Sequence, residues 1–284
     1  MKKMNYVIAD VFTNTPLKGN PVAVFLNPIG ITAVDMQLIA REMNLSETTF
    51  VFPSKVAGDF HVRIFTPVNE LAFAGHPTLG TAIVLAEKTT GNLIVLETAM
   101  GAIPFYFKRT NDGKIGYAQM EQPIPVWETY EYSDIVLRGL GLDSSILPIE
   151  VYRNGPRHVF VGLPSVAALS SIQPDLKILA QLQNVAVNCF AKYNEAWRMR
   201  MFSPAYGVVE DAATGSAAGP LALHLARYNF INFGQWIEIH QGVEMGKHSI
   251  MRAQIIGTEQ KVIAVNVAGS AVIVARGEFG GWTS

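Results

Sequence analysis

Three ionisable side chains in this chain stand at turns between elements, where a proton-transfer site would need them. Glu47, in Asn44-Leu45-Ser46-Glu47-Thr48-Thr49-Phe50, puts a carboxylate where a helical pattern gives way to an apolar strand. His76 lies between Gly75 and Pro77, and proline suits a first helical turn because its missing N–H has no partner there anyway. An imidazole at a helix N-terminus is disfavoured as a cation, so a neutral ring able to accept or donate a proton near pH 7 is expected. Farther on, Glu210-Asp211-Ala212-Ala213-Thr214-Gly215-Ser216 offers a carboxylate, a hydroxyl and free backbone N–H groups ahead of another helix, which makes a ready anion site. Each residue also has a blander reading: Glu47 as a solvated strand-end glutamate, His76 as a turn cap, Asp211 as a helix cap. The chemistry that would use all three is acid–base work. A carboxyl shielded from water has its pKa raised towards neutrality, which suits a group that must both take and give a proton.

The elements that must position these groups repeat with a period near 140 residues. Gly19-Asn20-Pro21-Val22-Ala23-Val24-Phe25 matches Asn154-Gly155-Pro156-Arg157-His158-Val159-Phe160, each a turn feeding a strand. Helical spacing at Met36, Ile39, Ala40 and Met43, between a capping Thr32 and a stop at Asn44, has its counterpart at Asp175 to Leu182. Strand-like 49–52 pairs with 187–190, and Arg63-Ile64-Phe65-Thr66-Pro67 with Arg200-Met201-Phe202-Ser203-Pro204. Each half then has a glycine-containing turn opening a helix, Thr78 to Glu87 or Ala217 to Arg227, that is apolar on nearly every side and so expected to be buried. Further strands follow at 93–97, 103–109 and 114–120, with Asn111-Asp112-Gly113 as a hairpin turn, and at 236–240, 249–255 and 262–267. The expected architecture is α+β, two duplicated halves at 1–121 and 122–284, each a mixed, barrel-like sheet around a central buried helix, with a cleft between the copies. Two helix N-termini facing that cleft would suit a carboxylate-bearing substrate and an enolate-like intermediate.

Composition removes other classes. Over 284 residues, 22 Lys and Arg stand against 23 Asp and Glu, a formal charge of -1 without dense runs of either sign, so nucleic acid and anionic membrane are poor partners. No stretch approaches the roughly 20 apolar residues of a membrane helix. Asp10 interrupts the apolar run of the N-terminus, which reads as a first strand, and the cytoplasm is the expected compartment. The single cysteine, Cys189, excludes an intrachain disulfide, and the six histidines show no metal-ligand pair at helical spacing. Gly242 to Ser249 lacks the spacing of a phosphate loop, and no GxGxxG follows a strand.

Taken in order, Asp10-Val11-Phe12-Thr13 with Gly19-Asn20-Pro21, Leu45-Ser46-Glu47-Thr48, Arg63 to Pro67, Glu70-Leu71, Phe73-Ala74-Gly75-His76-Pro77-Thr78, Glu210-Asp211 with Ala213 to Ser216, and Gln241-Gly242 span almost the whole chain. They resemble the PhzF-like family of phenazine biosynthesis, whose founding member isomerises trans-2,3-dihydro-3-hydroxyanthranilate. The resemblance implies a diaminopimelate-epimerase-like fold, usually a homodimer, and an isomerase with no cofactor and no metal. It implies the acid/base role for Glu47, with His76 and Asp211 also catalytic, and substrate binding by Gly75, Thr214, Gly215, Ser216, Gln241 and Gly242. Related epimerases use two thiols, at positions that here are Ala74 and Ala213, so their two-thiol mechanism is not available. Ala72 stands where many relatives have proline, and Lys247-His248 where Arg-Pro is frequent, which bears on the substrate because lysine cannot reproduce a bidentate arginine contact. A one-base epimerase or racemase on the same scaffold, and a binding protein that has lost turnover, are the alternative readings.

Overall fold

The computed structural model describes residues 3–54, 56 and 58–280. The chain divides into two compact units, one made of residues 1–121 with 268–284, the other of 122–267. The first unit runs β1 (Lys3–Val11), β2 (Asn20–Leu26), α1 (Ala33–Met43), β3 (Glu47–Pro53), β4 (Phe60–Phe65), β5 (Glu70–Leu71), α2 (Gly75–Ala86), β6 (Leu93–Thr98), β7 (Gly101–Arg109) and β8 (Ile115–Gln122). Strands β1 and β2 are antiparallel, β2 and β3 parallel, β3 and β4 antiparallel, and β4 and β6 parallel. A hairpin joins β7 to β8 through the expected turn, with Gly113 at φ 81.

The second unit runs β9 (Val126–Thr129), α3 (Ser133–Leu140), β10 (Glu150–Arg153), β11 (Arg157–Gly162), α4 (Val166–Ser171), α5 (Leu176–Leu179), β12 (Ala186–Tyr193), β13 (Ala196–Ser203), β14 (Val208–Asp211), α6 (Gly215–Arg227), β15 (Trp236–Gln241), β16 (Ser249–Gly257) and β17 (Val262–Gly269). Its pairings alternate in the same way: β10 and β11 antiparallel, β11 and β12 parallel, β12 and β13 antiparallel, β13 and β15 parallel. The last strand, β18 (Ala271–Gly280), pairs antiparallel with β1 from Lys3↔Gly280 to Val11↔Ala271, so the segment that the sequence reading put in the second half packs in the first unit. The helical stretch expected at Asp175 to Leu182 is the short α5, capped by the Asp175 side chain, and α4 precedes it.

Local chemistry explains these boundaries. Thr32 and Asp35 form a capping box at the start of α1, and Asn44, left-handed at φ 51, ends it. Its Met36, Ile39 and Ala40 pack with Met4, Phe25, Phe50 and Phe65. Helix α2 carries no charge and is buried at all twelve positions, packed against β1, β2, β3 and β6. Full burial of each of Leu79, Ile83 and Val84 is worth about 1.5–3 kcal/mol. The close approach needs Gly80, where a Cβ would come within 2.6 Å of Val11 Cγ2 and 2.8 Å of Val22 Cγ1. In both units an arginine on the strand before the turn forks onto a glutamate. Arg63 meets Glu70 at 2.7 and 2.6 Å. Arg200 meets Glu210 at 2.9 and 3.0 Å, and its remaining nitrogen reaches the carbonyls of Leu169 and Ile172.

Helix α6 is buried from Gly215 to Ala226 and contains Pro220, which has no N–H for the Ser216 carbonyl four residues back. Asn154 Nδ2 supplies the missing donor at 2.9 Å, and Gln122 Nε2 serves the neighbouring Gly215 carbonyl at 2.8 Å. Replacing Asn154 by Leu leaves a buried carbonyl without its donor, an expected loss of about 1–3 kcal/mol and a few degrees in Tm. Adding Pro220→Ala restores an N–H within the helix. Melting curves should show the double variant recovering part of the loss, and equal penalties with and without Pro220 would contradict this account.

Candidate active site

In the first unit, the parallel register Val22↔Glu47 sets the starts of β2 and β3 side by side, and both face the opening of α2. The buried His76 ring is the meeting point. Its Nδ1 is 3.2 Å from Glu47 Oε2 and 3.3 Å from Asn20 Nδ2, while Nε2 is 3.4 Å from the Pro21 carbonyl. A carbonyl only accepts, so Nε2 keeps its hydrogen, and a neutral ring then presents an unprotonated Nδ1 that accepts from the Asn20 amide. Burial pushes the His76 pKa down to about 3, although the hydrogen bond to Pro21 works the other way, so the ring is neutral at physiological pH. That unprotonated Nδ1, 3.2 Å from a carboxylate oxygen, sets two acceptors together, and one proton shared between them converts the contact into a hydrogen bond. Protonation of Glu47 would therefore add a hydrogen bond at this contact.

Gly75 opens α2, whose N-cap residue Ala74 makes no side-chain capping bond. The N-cap of α6, Thr214, makes none either, because its hydroxyl is committed elsewhere. In that second-unit cluster Thr214 Oγ1 donates to Asp211 Oδ2 at 2.7 Å, and the Thr214 N–H donates to Gln241 Oε1 at 2.9 Å. Gln241 Nε2 donates in turn to the Asp211 carbonyl at 2.9 Å and to Thr214 Oγ1 at 3.0 Å. Fully buried, Gln241 thus spends both ends of its amide on the 211–214 loop. Gly242 follows at φ 71, where a Cβ would lie 2.6 Å from the Ala212 and Lys247 carbonyls, so only glycine fits. Ser216 Oγ lies 3.1 Å from His158 Nε2, and Asn188 Nδ2 stands 3.5 Å from His158 Nδ1.

The structure thus joins Glu47 to His76 next to Gly75 in one unit, and gathers Asp211, Thr214, Gly215, Ser216, Gln241 and Gly242 in the other. Sequence reasoning passed over four residues that shape these clusters. Asn20 and Asn154 were visible in the matched segments of the repeat, Asn20 directly before Pro21 and Asn154 two residues before Pro156. His158 was read only as a histidine without a metal-ligand partner, and nothing local marks Asn188. Among the described residues no group of three His, Cys, Asp or Glu side chains is placed to hold a metal ion, and no helix is long and apolar enough to cross a membrane.

The α+β fold, mixed sheets with buried helices, is of the diaminopimelate-epimerase-like class. A hydroxyproline epimerase from Agrobacterium vitis has the same fold, with TM-score 0.71 at 12% identity, covering 98% of this chain and 91% of its own. Residues 9–277 match the family described as phenazine biosynthesis-like protein, and the chain belongs to that family. It is 56% identical over 273 residues, 96% of this chain and 98% of the relative, to the trans-2,3-dihydro-3-hydroxyanthranilate isomerase of Pseudomonas chlororaphis. A solved structure described as the phenazine biosynthesis protein, PhzF family, of Bacillus anthracis aligns with TM-score 0.85 at 27% identity, covering 98% of this chain and 99% of its own.

Burial likewise lowers the pKa of His158 to about 3, and it lowers that of His224 against the opposing pull of Glu150. An unfolded histidine binds a proton below about 6.5, whereas these folded rings do not. The stability they contribute is complete above pH 6.5 and declines as pH falls below it, for His76 and His158 down towards pH 3 and on the order of 1 kcal/mol per pH unit for each of these two rings. Urea midpoints should therefore drop between pH 7.5 and pH 5, and His76→Gln should make that drop shallower. An unchanged slope in the variant would show that His76 is not buried neutral.

Proposed function

We propose that the chain is a cofactor-independent isomerase acting on trans-2,3-dihydro-3-hydroxyanthranilate, the substrate for which its Pseudomonas relative is named. The observation that carries the reaction is the Glu47–His76 pair: a carboxylate backed by the unprotonated nitrogen of a neutral ring, which rewards protonation. In this reading Glu47 removes a proton from carbon beside an activated position of the substrate. The C–H electron pair moves into the conjugated system, a double bond shifts, and the proton held between Glu47 Oε2 and His76 Nδ1 returns to another carbon. Atoms and electrons balance without an oxidant or reductant.

Asp211 is the second ionisable group of the reading, fixed by Thr214. Gly75, Gly215 and Ser216 supply N–H and hydroxyl donors for the substrate carboxylate and for charge developing in the transition state. Thr214, Gln241 and Gly242 contribute by holding the loop that presents them. The working form is the homodimer usual in the family, in the cytoplasm. Light scattering should return twice the 31.0 kDa chain mass, and a monomer at micromolar concentration would contradict it.

Glu47→Gln keeps the side-chain shape and cannot carry the proton. Turnover in deuterated water, with mass analysis of the product, should fall by at least about 10²-fold in the variant, since general acid–base catalysis is worth about 10²–10⁴-fold. The melting temperature should stay within a few degrees of wild type. Wild-type turnover and deuterium uptake by the variant would transfer the role to Asp211 or His76.

A further inference from the structure

We propose that His158 is a positioning residue that fixes the polarity of the Ser216 hydroxyl, making Ser216 a hydrogen-bond donor to a bound anion. The inference rests on the reading above only in taking the ligand of Ser216 to be the substrate carboxylate.

Orientation starts at Asn188, which is fully buried. Its Nδ2 faces two backbone carbonyls, Ala186 at 2.9 Å and Val159 at 3.3 Å, so the amide cannot be turned over without setting oxygen against oxygen. Keeping that orientation leaves Asn188 Oδ1 buried without a partner, a cost the site accepts. The same Nδ2 stands 3.5 Å from His158 Nδ1, so a hydrogen on Nδ1 would point at an amide donor. The neutral ring therefore carries its hydrogen on Nε2, which faces Ser216 Oγ at 3.1 Å. Burial keeps the ring neutral over the working range.

Among the described residues His158 is the side-chain partner of Ser216 Oγ, and it occupies the oxygen as a donor. The serine hydrogen is then left for a ligand acceptor. Ser216 itself is held from behind, because Asn154 takes its carbonyl in place of the N–H that Pro220 lacks. With the opposite tautomer the serine would donate to the ring and show only lone pairs to a carboxylate, which would repel it.

The test has two arms on the full-length enzyme. Long-range proton–nitrogen NMR of the histidine-labelled protein at pH 7 reads the tautomer directly and needs no substrate. It should show His158, assigned by its loss in His158→Phe, protonated at Nε2 alone, and a ring protonated at Nδ1 alone would overturn the proposal. Kinetics then read the consequence. Ser216→Ala should lower kcat/KM about tenfold through KM, the worth of one hydrogen bond to a charged group. His158→Phe should cost the same, and the double variant no more than about twofold beyond Ser216→Ala, because one side chain acts through the other. His158→Gln, which keeps an N–H donor, should stay within about threefold of wild type. Losses that multiply in the double variant would overturn the proposal. If the wild-type enzyme does not turn over the compound, the proposed substrate falls, while the ring spectrum still decides the role of His158.

Discussion

A helix buried on every side cannot leave its polar groups to solvent, and both central helices of this protein meet that constraint through side chains from neighbouring strands. α2 and α6 bury every position from their opening glycines to Ala86 and Ala226. Their apolar bodies lock into the sheets by burial alone, but their openings carry His76 and Ser216, which are buried and must find partners within the protein. Those partners arrive from the start of β2 and from β3, as Asn20, Pro21 and Glu47 around His76, and from the turn ahead of β11, β11 itself and β12, as Asn154, His158 and Asn188 around Ser216. The candidate functional groups are the same groups that complete the hydrogen bonding of the buried helix ends.

Burial also sets the chemistry. In water a histidine beside a glutamate forms an ion pair. Here desolvation opposes charge on the ring strongly enough to keep it neutral, and the Pro21 carbonyl decides which nitrogen bears the hydrogen. The contact with Glu47 then becomes a place to receive a proton. Contrast Glu150 in the second unit, where burial alone would raise the pKa. Hydrogen bonds from His224, Arg227 and Tyr152 outweigh it and hold the carboxylate ionised, with a pKa lowered to about 2. Two glutamates, one facing an unprotonated nitrogen and the other an arginine, are suited to a moving and a fixed charge respectively.

What the sequence disclosed follows the range of the interaction. The caps Thr32 and Asn44, the 111–113 hairpin and the all-apolar helices are signals within a few residues, and each stands where it was read. The family was legible because its motifs keep their order along nearly the whole chain. Pairings between residues far apart left no such trace. Glu47 and His76 were each singled out, but 29 positions separate them and nothing local joins them. The return of β18 to β1 spans almost the full chain, so its apolar residues read equally well as an edge of the second half. The dependence of Pro220 on Asn154, and of Ser216 on His158, exists only in the folded chain. A proline within a helix and a histidine on a strand are, as sequence, ordinary irregularities.

The central claim is that His76 is a neutral ring whose unprotonated Nδ1 faces Glu47, ready to share a proton that the carboxylate picks up. Neutron diffraction from a deuterated crystal at neutral pD would locate that hydrogen directly. The account predicts deuterium on His76 Nε2, directed at the Pro21 carbonyl, and none covalently bound to Nδ1. A deuteron bound to Nδ1 and pointing at Glu47 would make the pair an ordinary hydrogen-bonded or ionic contact and contradict the account.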